Sequence, residues 1–291
     1  MTLAEVREGD HMDRAARGPD VDAIVDASVE GAYGEIPVRI YRPRGTSAAP
    51  ILIWMHGGGW VLGGIDSADT SCRHLAAEAG VVVVSVGYRK APEHPFPVAI
   101  EECYTVAEWG DHNAGSLGGD STRLAVGGDS AGGTMAAAIC LMARDRGGPR
   151  LLFQLLVNPA PDFDLGRPSM VENAFPPMSG PADIRWFLDQ YLREESDFCD
   201  ERAMPACAAS HAGLPRAFVL TAEFAILRDA GESYAELLRA AGVAARAKRY
   251  RGVAHGFFNL TGELRRSREA MDDAVAELRD ATREQAGACS P

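Results

Sequence analysis

The residues most able to do chemistry fall in three short stretches. In RLAVGGDSAGGTMAAA, residues 123–138, an apolar run of strand type meets Gly128, Asp129, Ser130, Ala131 and Gly132, then passes at once into a small-residue helical pattern. A serine between glycines at a strand-to-helix turn can adopt a strained backbone that lifts its hydroxyl clear of the chain. The amide of Ala131, at the start of the helix, would face any oxyanion formed there. In IWMHGGGW, residues 53–60, three successive glycines follow another apolar run. Backbone amides unshielded by side chains suit a loop that donates hydrogen bonds to a developing negative charge. In RGVAHGFFNL, residues 251–260, His255 follows the last strand-like run and is a candidate general base for the Ser130 hydroxyl. A nucleophile, a base and an amide-lined loop together predict acyl-group chemistry.

These groups need a scaffold that brings the glycine loop, Ser130 and His255 together. Seven β-rich runs supply one: 35–41, 51–56, 81–88, 123–128, 151–157, 217–222 and 245–250. Several are nearly continuous in Val, Ile and Leu, as expected of strands buried on both faces of a mostly parallel sheet. Helical patterns lie between them at 70–80, 97–110, 130–145 and 232–242, with apolar residues three and four apart. Strand alternating with helix predicts right-handed crossovers and a doubly covered sheet. Residues 1–30 read as a polar, helical lead-in to the first strand. Residues 162–212 carry Pro-rich turns around one amphipathic stretch, ADIRWFLDQYL, and read as a lid over the carboxyl ends of the strands. The chain is therefore expected to form one domain over 1–291, with cap or lid elements at 1–30 and 162–212.

Composition narrows the partners. A formal charge of -12 disfavours nucleic acid, and the basic cluster ARAKRYR at 245–251 reads as a solvated strand end. The glycines lack the GK[ST] of a phosphate-binding loop and the spacing of GxGxxG, so no nucleotide cofactor is implied. The cysteines at 72, 103, 140, 199, 207 and 289 lack metal-ligand spacing, and reduced, mostly buried thiols are expected with no metal. No segment has the apolar length of a signal peptide core or a membrane span, which predicts a cytoplasmic protein without membrane attachment.

HGGGW, the run YRKAPEHPFP at 88–97, GDSAGG and the late HGF resemble the hormone-sensitive-lipase-like family of α/β hydrolases, which includes bacterial carboxylesterases and acetyl hydrolases. The resemblance spans about residues 35–285. It implies an α/β-hydrolase fold with a central sheet of about eight strands, and an esterase in which Ser130 attacks a carbonyl while His255 relays the proton. The amides of Gly58, Gly59 and Ala131 would hold the oxyanion, with a small-molecule ester or carbonyl compound as substrate and no cofactor. Homodimers built through the last strand and helix are a feature of many relatives.

One departure stands out. The family's acid lies in a loop reading AEYDPLRD, against which Ala222 to Asp229 read AEFAILRD, so Ala225 fills the place of the catalytic aspartate. Three accounts follow. Another carboxylate, Asp162, Glu223 or Asp229, orients His255; or no acid does, and the protein is a slow esterase; or the scaffold serves a non-hydrolytic reaction, such as elimination or cyclisation by a lyase, dehydratase or cyclase.

Overall fold

A computed structural model describes Leu3, Arg7 and residues 18–45, 47–174 and 180–283. Its centre is an eight-stranded sheet in the order β1-β2-β4-β3-β5-β6-β7-β8. The strands are β1 (Ala23–Val29), β2 (Ile36–Arg42), β3 (Ala49–Met55), β4 (Val82–Val86), β5 (Gly119–Asp129), β6 (Leu151–Val157), β7 (Arg216–Phe224) and β8 (Ala245–Ala254). β1 and β2 pair antiparallel, as do β2 and β4, and every other pairing is parallel.

The continuous apolar runs are explained by burial on both faces. Along β3, Ile51, Ile53 and Met55 enter one core while Leu52 and Trp54 enter the other. Alternate side chains of a strand point to opposite faces, so two buried faces leave no polar positions in the run. The first face is covered by α2 (Val98–His112), by α4 (Ala131–Arg146) and by α7 (Arg228–Ala240), through Ile100, Ala136, Ile139 and Leu238. The second is covered by α1 (Asp69–Ala79) and α8 (Arg265–Arg283), through Leu75, Met271, Ala274 and Leu278. Three short helices, α3 (Ala114–Leu117), α5 (Pro168–Glu172) and α6 (Pro181–Tyr191), complete the helical elements considered below.

One sequence expectation is modified. Residues 23–29, placed within a helical lead-in, form the edge strand β1, whose five central residues are exposed. An exposed edge lacks the apolar alternation that marks a half-buried strand, so its pattern was hidden. Most of the rest of the expected 1–30 cap element lies outside the described residues. Three of the four basic residues of β8 pair with acids of the flanking helices: Arg246 with Glu277, Lys248 with Asp273 and Arg249 with Glu232. Cys72, Cys103 and Cys140 are buried, Cys199 and Cys207 are exposed, and all five are free thiols. Among the described residues no helix is long and apolar enough to cross a membrane.

Candidate active site

Ser130 follows β5, the glycine loop follows β3 and His255 follows β8, so parallel pairing delivers all three to the carboxyl edge of the sheet. Ser130 has φ 57 and ψ -120, a conformation that costs a non-glycine residue about 1–3 kcal/mol. The turn is held by the Ser130 amide donating to the Val157 carbonyl at 2.8 Å and the Thr134 amide donating to the Ser130 carbonyl at 3.0 Å. Glycine is required beside it: a Cβ on Gly132 would lie 2.1 Å from the Met55 carbonyl oxygen. The elbow and β3 therefore pack backbone against backbone, leaving the Ser130 side chain exposed to the cleft.

The glycine loop is fixed from behind. The Tyr88 hydroxyl donates to the His56 carbonyl at 2.8 Å and its ring stacks on His56 at 4.1 Å, while the Ala91 amide donates to the Trp60 carbonyl at 2.9 Å. Lys90 Nζ donates to the Gly63 carbonyl at 2.8 Å. The YRKAPEHPFP run is thus a brace for HGGGW. Gly58 has φ +121, and a Cβ there would meet the Leu62 carbonyl oxygen at 2.3 Å. Among the described residues no backbone acceptor takes the amides of Gly58 or Gly59, and both glycines line the cavity with Ser130 and Ala131.

His255 Nε2 lies 3.0 Å from Ser130 Oγ. Burial pulls the imidazole below its ordinary pKa, opposed by the charge of the Asp129 carboxylate, so the ring is neutral and able to accept a proton at pH 7. Its other nitrogen, Nδ1, is sealed from solvent and has no hydrogen-bond partner among the described residues. Phe224 and Ala254 are register partners at the ends of β7 and β8, and Ala225 and His255 are the residues that follow them. Ala225 is buried in the apolar core with Val253 and Phe257.

The three other candidate carboxylates are occupied elsewhere. Asp162 lines the cavity but is ion-paired with Arg167. Glu223 accepts the Gly252 amide at 2.7 Å. Asp229 accepts Arg228 Nε and the Ser169 amide, each at 2.8 Å; burial alone would raise its pKa, but those donors hold it below the ordinary carboxylate range. Arg228 also donates to the Glu223 carbonyl and to Glu172, and Asn173 Nδ2 donates to the Ala225 carbonyl at 3.2 Å. The 223–229 loop keeps a full set of framework bonds around its alanine.

The cleft is a cavity of about 250 Å³. Its apolar wall comes from Ile184, Phe187 and Leu188 of α6, from Met204, and from Ile226 and Leu227 at the start of α7. The 162–212 insertion therefore contributes directly to the cleft, and α6 is tied to the glycine loop by Tyr191 stacking on Trp60 at 4.6 Å. Residues 175–179 of that insertion lie outside the described residues. Sequence reasoning missed Asn259, whose Nδ2 donates to Asp129 at 3.1 Å; its place four residues after His255 was the available signal.

Comparison with known proteins agrees with this architecture. A family described as alpha/beta hydrolase fold matches residues 52–259. The carboxylic ester hydrolase LipN of Mycobacterium tuberculosis is 44% identical over 255 residues, which cover 84% of this chain and 67% of that protein. An arylesterase of Saccharolobus solfataricus is 37% identical over 84% of this chain and 79% of its own length. The solved structure of a hyperthermophilic esterase from Pyrobaculum calidifontis superposes with a TM-score of 0.92 at 40% identity, covering 96% of this chain and 94% of that one. With its sheet, its serine elbow and these likenesses in agreement, the chain belongs to the α/β-hydrolase family, in its hormone-sensitive-lipase-like branch.

Proposed function

We propose that the protein is a serine carboxylesterase in which Ser130 is the nucleophile, His255 the general base, and the amides of Gly58, Gly59 and Ala131 the oxyanion donors, with no carboxylate on His255. The observation that carries this reading is the 3.0 Å contact between His255 Nε2 and the hydroxyl of a serine held at φ 57. As Ser130 Oγ bonds to the ester carbonyl carbon, its proton passes to Nε2 and the carbonyl electrons move to oxygen, facing the three amides. Collapse of this tetrahedral species breaks the ester C–O bond, and Nε2 returns the proton to the leaving alcohol. Water, deprotonated by Nε2, then attacks the acyl-serine and releases the carboxylic acid with Ser130 restored.

The cavity of about 250 Å³ is small beside ligand pockets of roughly 300–1,000 Å³, and its wall is apolar, which favours short, uncharged acyl or alcohol groups. Relatives that are esterases favour hydrolysis over the lyase or cyclase reading. A cytoplasmic setting accords with the free thiols of Cys199 and Cys207 at the surface. Turnover of a short-chain p-nitrophenyl ester tests the reading. Wild type is expected to hydrolyse it and Ser130→Ala to lose that activity; equal rates in the two would refute it.

A further inference from the structure

A histidine with nothing on Nδ1 needs some other means of staying in line with its serine. The loop that carries His255 is gripped at three points downstream. Phe258 stacks on Trp54 with ring centroids 6.2 Å apart, Thr261 Oγ1 is 2.9 Å from His74 Nε2 of α1, and Asn259 is bonded at both ends of its carboxamide. Ser71 Oγ, in α1 and fully buried, donates to Asn259 Oδ1 at 2.6 Å. Asn259 Nδ2 in turn donates to Oδ2 of Asp129, the residue preceding the nucleophile. Of the three grips, only the last ties the base-bearing loop directly to the serine elbow. A carboxamide fits there because it offers a donor to the carboxylate and an acceptor to the hydroxyl at once.

We propose that Asn259 and Asp129 are the positioning residues for His255: the Ser71–Asn259–Asp129 chain fixes the base loop against the nucleophile elbow, and Asp129 supplies the negative charge that stabilises the imidazolium formed in turnover. Elsewhere both tasks fall to an acid on Nδ1. Here they are met from the serine side of the ring. The inference rests on Ser130 and His255 acting as nucleophile and base. The other ionisable groups lining the cavity are His56, which belongs to the glycine-loop brace, and Asp162, which is neutralised by Arg167. From the neighbouring β7–α7 loop, Glu223 and Asp229 are engaged by Gly252 and Arg228.

A mutant cycle with pH profiles tests this. Asn259→Ala is expected to lower kcat roughly tenfold or more with a smaller change in KM, because the carboxamide, which borders the cavity, is committed to Ser71 and Asp129 and is not part of the apolar wall. In an Ala225→Asp background, where a carboxylate can hold the ring from Nδ1, the same substitution is expected to cost less than about threefold, the signature of two devices doing one job. Ser71→Ala, which loosens Asn259 without touching the cavity, should move kcat in the same direction by a smaller factor. Asp129→Asn keeps an acceptor for Asn259 but removes the charge, so the acidic limb of kcat/KM should move to lower pH while kcat falls. An equal loss from Asn259→Ala in both backgrounds, or an acidic limb unmoved by Asp129→Asn, would overturn the proposal. Full activity in Ser130→Ala would instead remove the nucleophile reading on which it rests, and a parallel assay of that variant separates the two failures.

Discussion

The two halves of the site are built from different materials. On the side of the proposed nucleophile, the elbow and the glycine loop are built from backbone: a positive φ at Ser130, the amides of Gly58, Gly59 and Ala131 proposed as oxyanion donors, and glycines whose Cβ would strike a carbonyl. On the side of the proposed base, the supports are side chains, and the 223–229 loop carries a buried alanine at 225. The contrast has a physical cause. Backbone features are shared with the packing of β3 against α4, so a change in them strains the scaffold itself. A single side chain in the 223–229 loop can change while Arg228, Asp229, Ser169 and Asn173 keep the loop in place. Burying alanine there also avoids an unpaired buried charge.

The largest effect is expected on the nucleophile side. Ser130→Ala should lower kcat on the order of 10³-fold or more with the fold unchanged by circular dichroism; removal of a triad nucleophile costs more in enzymes with a complete triad, and this protein has less to lose. Gly132→Ala should damage the scaffold itself, since the new Cβ would lie 2.1 Å from the Met55 oxygen. A loss of about 1–3 kcal/mol in stability is expected for such overpacking, read as a lower Tm. A melt indistinguishable from wild type would show that the elbow has more room than its geometry indicates.

The base side should respond more gently and with a pH signature. His255 must be neutral to accept the Ser130 proton, so kcat/KM rises with pH through its pKa. Burial sets that pKa below the ordinary 6.5, and with no acid on Nδ1 to raise it, the acidic limb should fall below pH 6.5. A limb above 7 would reveal a carboxylate acting on the ring. The smallest effect is expected from Asp162→Asn. Because Asp162 is committed to Arg167, kcat should change by less than about threefold; a drop of 10²-fold or more would make it the missing acid.

The contrast also explains what could be read from the sequence. The serine elbow and the glycine loop are local, with the required residues within a few positions of one another, so GDSAGG and HGGGW are legible in a single chain. The central parallel strands, such as β3, were legible because both faces are buried, whereas β1, with its exposed centre, gave no period to detect. The alanine at 225 was visible only against the family's loop. Its consequence was not visible, because the bonds that engage Asp162, Glu223 and Asp229, and the orphaned Nδ1, exist only in three dimensions. The Asn259 chain joins residues 130 and 188 positions apart in sequence, a separation at which no motif or periodicity operates.

His255 is proposed to work without a carboxylate on Nδ1. Comparing the hydrolysis of a short-chain p-nitrophenyl ester by wild type and Ala225→Asp, with full pH profiles, tests it most directly. The new carboxylate should raise kcat roughly tenfold or more and move the acidic limb of kcat/KM to higher pH, as an anion beside the ring favours its charged form. An Ala225→Asp variant that folds normally yet shows neither change would mean that the imidazole already has its acid.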